Sequence, residues 1–227
     1  MIKTHSARLA LNYKGLPYKT EWIEYPDIAP KFKSFGIPPN APGTSNYEYS
    51  VPAIRISGGS YIMESRAIAK ALEELQPEPS LHLDNGYTDS VQAVAGKVQG
   101  ALMPAGVYRI PTKLLNPRGS NYFRETREKR FGMSLEDLAK SDKGGENAWK
   151  NAHAPMEELK AILHEHDDGP YVMGEQVSFA DFILAGLWRF VQLLDEDGDL
   201  FERGMKFDES FPRHYEACKK WLERDDH

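Results

Sequence analysis

The chain has 227 residues, with 28 lysines and arginines against 34 aspartates and glutamates, and a formal net charge of −6 at pH 7. This length suits one large domain or two small ones, and the acidic balance leaves no basic stripe that would neutralise successive phosphates of a nucleic acid. No apolar run approaches the roughly 20 residues that a membrane helix needs. The first residues lack the apolar core of a signal peptide, so we expect a cytoplasmic protein that binds neither nucleic acid nor a membrane.

The beginning of the sequence alternates helix and strand patterns. Residues 4–14 repeat small apolar residues at helical spacing, and a glycine and a proline follow as stop signals. Residues 18–25 alternate polar and bulky side chains and predict a strand. Residues 27–35 predict one or two helical turns before a loop rich in proline and glycine at residues 37–45.

A hairpin and a helix come next. Residues 51–56 predict a strand, and Gly58 and Gly59 predict a turn into a second strand at residues 61–63. The core face of the helix that follows is predicted to be Ile68, Ala71, Leu72 and Leu75.

From about residue 86 onward the pattern is entirely helical. One apolar face consists of Val91, Val94, Ala95, Val98 and Leu102, with Pro104 closing or kinking its helix. A second face consists of Trp149, Ala152, Met156, Leu159 and Leu163, with Pro155 as a bend. The apolar face of the last helix consists of Phe211, Tyr215, Cys218 and Leu222. Cys218 is the only cysteine, which excludes an internal disulfide and leaves it as a small hydrophobic residue of that face.

A capping box marks the start of a further helix. Ser178 is predicted to cap it and Asp181 to answer as the third helical residue. A buried helix of about 16 residues should begin there. The change of pattern between Pro77 and Gly86 predicts a boundary between an α/β unit at residues 1–77 and an all-α unit at residues 86–227.

Two short pairs of residues predict a ligand site. A proline that opens a strand cannot donate to the ladder and its own peptide bond can be cis, so Val51, ahead of Pro52, can offer its backbone to an extended peptide ligand. Glu64 and Ser65 stand between a strand and a helix, where free N–H groups favour a ligand carboxylate and Glu64 can accept from an ammonium group. Each pair also has an ordinary explanation, as an edge-strand proline and as a helix cap.

In this order the elements resemble the glutathione S-transferase family. Residues 51–69 look like its strand, hairpin and helix with a cis-proline and an acidic-Ser motif, and residues 177–181 look like the helix-opening box of its C-terminal domain. Residues 10–28 look closer still to a fungal branch related to bacterial β-etherases. The resemblance implies a thioredoxin-like N-terminal domain over residues 1–77 and an all-helical C-terminal domain over residues 86–227.

The resemblance also implies the ligands. Val51 and Pro52 would bind the cysteinyl backbone of glutathione, and Glu64 with Ser65 its γ-glutamyl end. Glutathione would be a co-substrate, and neither a tightly bound cofactor nor a metal ion is expected.

The second substrate implied by the resemblance is a small hydrophobic electrophile between the domains, near Met103 and Tyr108. A homodimer is an open expectation.

The group that would activate the glutathione thiol is less defined. The family's domain opens with a strand and a loop that carries the catalytic residue, and matching residues 10–17 to the family places this residue at or before Met1, so we expect the first strand to be missing. Thr4 and Ser6, near the start of the first helix, are the remaining candidates for lowering the thiol pKa, and both also suit ordinary caps or solvated positions.

Three classes of function follow. The first is a glutathione-dependent transferase or etherase acting on an aromatic electrophile, which the resemblance alone links to fungal secondary metabolism. The second is a carrier of hydrophobic or glutathionylated ligands, and the third is a scaffold.

Two further clusters receive no role. His164 and His166 lie two positions apart, do not share a helical face, and are poor joint metal ligands. The evenly spaced Arg124, Arg127 and Arg130 are interleaved with glutamates, as on a solvated helix.

Overall fold

The computed structural model describes residues 2–43, 45 and 47–223, with Ile2 and Lys3 described by their backbone alone. Met1, at or before which the catalytic position is expected, lies outside these residues, as does Thr44 of the predicted loop. The N-terminal elements are α1 (Ile2–Tyr13), α2 (Ile28–Ser34), β1 (Ala53–Arg55), β2 (Tyr61–Met63) and α3 (Ser65–Leu75). The later elements are α4 (Tyr87–Gly106), α5 (Ile110–Lys113), α6 (Pro117–Phe131), α7 (Leu135–Lys140), α8 (Gly145–Leu163), α9 (Phe179–Leu194), α10 (Phe201–Met205) and α11 (Ser210–Leu222).

The predicted fold class, a small α/β unit followed by an all-α unit, is confirmed. β1 and β2 form an antiparallel hairpin in which Ala53 pairs with Met63 and Arg55 with Tyr61. The turn between them contains Gly58 at φ 101° and Gly59 at φ 91°, a backbone region that only glycine enters without strain. The hairpin therefore forms where the sequence predicted it, with shorter strands.

The predicted strand at residues 18–25 is wrong. Residues 16–24 have no regular secondary structure, and a 3-10 turn occupies Tyr25–Asp27. Within the described residues, the sheet consists of β1 and β2 alone. A strand exists only where a neighbour completes its ladder of hydrogen bonds, so side-chain alternation was insufficient here.

Helix α1 forms as predicted, with Ala7, Ala10 and Leu11 buried. On α3 the predicted core face is partly wrong: Leu75 is 60% exposed, whereas Ala69 is completely buried. Leu75 is the last residue of its helix, beyond the part that packs against its neighbours.

The ends of α1 and α3 are joined by a buried lysine. Lys14 Nζ donates to the carbonyls of Gln76 at 2.6 Å and Pro79 at 2.9 Å, and lies 2.6 Å from Glu73 Oε1. Gln76 Nε2 donates in return to the carbonyl of Lys14 at 2.7 Å. Glu73 also accepts from the N–H of Leu81 at 2.7 Å, so this cluster fixes the segment that leads into the helical unit.

Helix α9 is the centre of the helical unit. It packs against α1, α4, α10 and α11, and nearly all of its residues are buried. The predicted capping box is present, and the helix has the predicted length of 16 residues. The faces predicted for α4 and α8 are also buried, apart from the half-buried Trp149, and neither Pro104 nor Pro155 ends its helix. Among the described residues, no helix is long and apolar enough to cross a membrane.

The carboxylate of Asp181 is completely buried at the start of α9. It accepts hydrogen bonds from Ser178 N at 2.7 Å, Ser178 Oγ at 2.9 Å and Val172 N at 2.8 Å, and lies 3.1 Å from His214 Nε2 of α11. One carboxylate thus joins α9, α11 and the turn that precedes α9.

We expect Asp181→Ala to lower the free energy of unfolding by about 3–5 kcal/mol, because it leaves several buried donors without an acceptor. Chemical denaturation measures this loss. Asp167→Ala is the matched control: its side chain is 86% exposed, so a change below about 0.5 kcal/mol is expected. Equal effects of the two substitutions would contradict the role of Asp181.

Because Glu73 pairs with Lys14, we expect the contact between α1 and α3 to weaken in acid. Burial acts to raise the pKa of Glu73, but hydrogen bonds from Lys14 and from the Leu81 N–H outweigh it and leave the pKa below its usual value. The stabilisation is therefore complete above the unfolded pKa of about 4.3 and is lost as the pH falls through the lower folded pKa. Melting temperatures between pH 6 and pH 3 should fall less steeply for Glu73→Gln than for the wild type, while Glu74→Gln, exposed on the same helix, should follow the wild type.

Candidate functional site

The structure brings the two predicted pairs together. The peptide bond between Val51 and Pro52 is cis, and the carbonyl of Pro52 accepts a hydrogen bond from the N–H of Glu64 at 3.1 Å. Pro52 and Ser65 are buried, whereas Val51 and Glu64 are half-buried. The backbone before β1 and the first turn of α3 therefore form one continuous edge.

Glu64 has an unusual backbone. Its φ of 77° and ψ of 130° lie outside the regions that side chains favour, and such strain persists only where the surroundings impose it. The helical ladder begins when Ile68 N donates to the carbonyl of Glu64 at 2.9 Å, so the N–H groups of residues 65–67 precede it. This end of α3 suits an anionic ligand group.

Two residues that the sequence analysis missed support Glu64. Ser50 Oγ donates to the carboxylate of Glu64, and Asn40 Nδ2 donates to Ser50 Oγ at 3.2 Å and to the carbonyl of Tyr47 at 2.9 Å. Asparagine in a loop rich in proline and glycine is typical of turns stabilised by side-chain hydrogen bonds, a signal that pointed to Asn40. Nothing in the sequence pointed to Ser50, because its partner lies on another element.

Thr4 and Ser6 lie near the first turn of α1. The helices α1 and α3 contact each other, end together at Lys14 and Gln76, and have similar lengths of 12 and 11 residues. The first turns of α1 and α3 therefore lie at the same end of this helix pair. Ser6 is only 1% exposed, whereas Thr4 is half-buried, so Thr4 is the more accessible candidate for a ligand thiol.

The first turn of α1 also faces the end of α9. The ring of Tyr13 lies 5.5 Å from that of Phe182 near the start of α9, and His5 and Arg8 line a cavity with Arg189 in its later half. The two helices consequently run antiparallel.

Met103 and Tyr108 lie where α4 and α9 end, and both are half-buried. Arg109 fixes this corner: its Nη1 donates to the carbonyl of Leu194 at 3.0 Å and to Asp199 at 2.8 Å, and its Nε donates to the hydroxyl of Tyr108 at 3.0 Å. The hydrogen bond to Asp199 and the neighbouring charges raise the pKa of Arg109.

The structure does not bring Met103 to Ser65. Arg66 of α3 pairs with Asp89 in the first turn of α4, and Met103 follows later on the same helix, roughly 20 Å away at 1.5 Å per residue. A group bound at the first turn of α3 and a second molecule beside Met103 would hence lie near opposite ends of α4.

Cys218 is not a nucleophile of this site. It is completely buried, its Sγ lies 3.8 Å from His214 Nε2, and burial together with the charge of Asp181 raises the pKa of its thiol. A buried neutral thiol does not react readily.

The histidines after α8 have separate partners. His164 Nε2 lies 2.9 Å from Asp208, which raises the pKa of His164, and His166 Nε2 lies 3.0 Å from the hydroxyl of Tyr87. In the part of the chain that the structure describes, no three His, Cys, Asp or Glu residues are grouped so as to hold a metal ion.

Both halves of the chain match known sequence families. Residues 3–75 match the model of the glutathione S-transferase N-terminal domain, and residues 90–221 match that of the glutathione S-transferase C-terminal domain. The thioredoxin-like domain and the helical domain that the sequence predicted thus have family counterparts.

Individual relatives give the same result. A glutathione S-transferase-like protein of Aspergillus flavus, ustS, is 30% identical and covers 95% of this chain and 82% of its own length. The crystal structure of glutathione transferase GSTFuA3 from Phanerochaete chrysosporium has a TM-score of 0.83 at 28% identity, covering 95% of this chain and 88% of that one. A glutathione S-transferase of Ceriporiopsis subvermispora, CsGST63524, solved in complex with glutathione, has a TM-score of 0.76 at 29% identity, covering 100% of this chain and 91% of that one.

We expect Cys218 to resist thiol reagents in the folded protein. In native buffer at pH 8, Ellman's reagent should modify almost none of the protein within minutes, whereas in guanidinium chloride it should release one equivalent per chain, because unfolding exposes the thiol and restores its ordinary pKa. Modification of the native protein at the rate of a free thiol would contradict the burial.

Proposed function

Because the chain belongs to the glutathione S-transferase family, we propose that it is a glutathione-dependent transferase that joins the thiol sulfur to a hydrophobic, aromatic electrophile. The observation that carries this proposal is the hydrogen bond from Glu64 to the carbonyl of Pro52. It aligns the backbone at Val51 and Pro52 with a helix start, as a peptide with an amino-acid end requires.

Each part of glutathione has a proposed partner. The backbone at Val51 and Pro52 pairs with the cysteinyl unit, the first turn of α3 at Ser65 receives the γ-glutamyl carboxylate, and the carboxylate of Glu64 accepts from the ammonium group. Ser50 holds the Glu64 side chain in place through its hydroxyl.

The chemistry requires a thiolate. A hydroxyl that donates to the sulfur lowers the thiol pKa and favours loss of its proton to solvent. The sulfur then forms a bond to the electrophilic carbon, and the bond from that carbon to its leaving group breaks with the electron pair on the leaving group. Thr4 and Ser6 are the proposed hydroxyl donors, since both lie near the first turn of α1.

The electrophile is proposed to bind beside Met103 and Tyr108, because a thioether and a phenol ring offer apolar contact to an aromatic molecule. An etherase-like substrate from fungal secondary metabolism is proposed from the resemblance of residues 10–28 and from the fungal origin of the relatives above. A cytoplasmic homodimer stays a proposal, as do domains at residues 1–77 and 86–227, which rest on the change of sequence pattern; family-model matches at residues 3–75 and 90–221 support that boundary.

A carrier of glutathionylated or hydrophobic ligands is the second candidate. The 1% exposure of Ser6 favours it, because a group that activates a thiol has to be reached by that thiol.

Calorimetric titration with glutathione tests the binding site. We expect Glu64→Gln and Ser65→Ala to weaken binding roughly 10- to 100-fold, the effect of losing one charge-assisted hydrogen bond. Glu74→Gln changes an exposed residue of the same helix and should leave the affinity within about twofold. Wild-type protein that binds no glutathione would refute the transferase and any carrier of glutathionylated ligands.

Turnover separates the enzyme from the carrier. The wild type should conjugate glutathione to 1-chloro-2,4-dinitrobenzene or cleave a β-aryl ether. Thr4→Ala and Ser6→Ala are tested singly, and the variant that removes the essential hydroxyl should lower kcat roughly 100-fold. If that variant binds glutathione with unchanged affinity, its loss of turnover reflects thiol activation and not binding. Glutathione binding without turnover of either substrate would support the carrier.

A further inference from the structure

An arginine of α6 stacks against rings from both halves of the molecule. The guanidinium carbon of Arg127 lies 4.7 Å from the ring centroid of Phe123, 5.4 Å from that of Tyr47 and 5.6 Å from that of Tyr25. Phe123 belongs to the same helix, whereas Tyr25 and Tyr47 belong to the N-terminal unit. Such cation–π contacts hold a ring and a guanidinium group face to face.

Tyr47 depends on α6 for its position. Its side chain is 45% exposed, so burial alone holds it weakly. Besides the stacking of Arg127 on its face, its hydroxyl accepts a hydrogen bond from Arg130 Nη1 at 3.2 Å. Two arginines of one helix therefore fix both the plane and the tip of this ring.

A chain of hydrogen bonds runs from Tyr47 to the proposed glutathione site. The carbonyl of Tyr47 accepts from Asn40 Nδ2 at 2.9 Å, and the same amide donates to Ser50 Oγ at 3.2 Å. Ser50 in turn donates to the carboxylate of Glu64 and directly precedes Val51. The chain reaches both predicted pairs of the site.

The start of α6 is attached to the N-terminal unit as well. Arg118 makes two hydrogen bonds to the carboxylate of Asp27, at 2.6 and 2.8 Å. The carboxylate of Glu24 lies so close to Gly119 that a Cβ there would overlap it, and the positive end of the helix dipole favours that anion. Helix α6 is thus held along its length against the segments that carry Tyr25 and Tyr47.

We infer that Arg127 and Arg130 are positioning residues for glutathione. They hold Tyr47, and through Asn40 and Ser50 they keep the carboxylate of Glu64 oriented for the ligand. This inference rests on the proposed binding of glutathione at Val51 and Glu64. Because neither arginine lies among the groups proposed to touch the thiol, their loss should change the affinity for glutathione and leave the chemical step largely intact.

The test compares arginine variants of one helix. Arg127→Gln should raise the Kd and the KM for glutathione about 5- to 20-fold, in line with the strength of cation–π contacts, and Arg130→Gln about 2- to 5-fold, in line with one solvent-exposed hydrogen bond. At saturating glutathione, kcat should stay within about twofold of the wild type. Arg127→Lys keeps the cation and should recover part of the affinity.

Arg124→Gln is the matched control, because Arg124 pairs with Glu136 at the start of α7. It should leave the Kd for glutathione unchanged. Hydrogen exchange of residues 47–50 should accelerate in Arg127→Gln and not in Arg124→Gln, a local change that a general loss of stability would not produce.

The outcomes separate the two proposals. Wild-type protein that binds no glutathione overturns the proposed function together with this inference. Wild-type binding with an unchanged Kd in folded Arg127→Gln or Arg130→Gln overturns the inference alone. If Arg127→Gln fails to fold, Arg130→Gln and Arg127→Lys decide, since the first changes an exposed side chain and the second retains the charge.

Discussion

The buried carboxylate of Asp181 is the contact on which the rest of the structure depends. A buried carboxylate is tolerated only if hydrogen-bond donors surround it, and Asp181 accepts from Ser178 and Val172 and lies 3.1 Å from His214 Nε2. This fixes where α9 begins. Since α9 packs against α1, α4, α10 and α11, a shift of α9 would change its packing against all four helices.

The proposed glutathione site lies within the N-terminal unit, whereas Met103 and Tyr108 belong to the helical unit. Lys14 aligns α1 with α3 at one end, so the first turns of these helices come together at the other. The backbone of Glu64 is strained at φ 77°, a conformation that persists only where the surroundings impose it. Ser50 gives part of that support, and Arg127 extends it into α6.

Elements with a complete local signal were predictable. The capping box of Ser178 and Asp181 contains its own hydrogen-bond partners within one turn, and the glycines between β1 and β2 define the turn that they occupy. The pairs at Pro52 and Glu64 were equally visible, because a strand opening with proline and a polar residue before a helix are local features. Residues 18–25 had the side-chain pattern of a strand, but a strand requires a partner that the pattern does not contain.

The sequence by itself determined the β1–β2 hairpin with the helix after it, the start and length of α9 and the residues proposed to hold glutathione. Each of these depends on neighbours within about one helical turn or one hairpin. Only the tertiary structure decided that Arg127 stacks on Tyr25 and Tyr47 and that Ser50 supports Glu64. Those contacts join residues far apart in the chain, and spacing along a sequence carries no information about which distant side chains the packing of helices brings within reach.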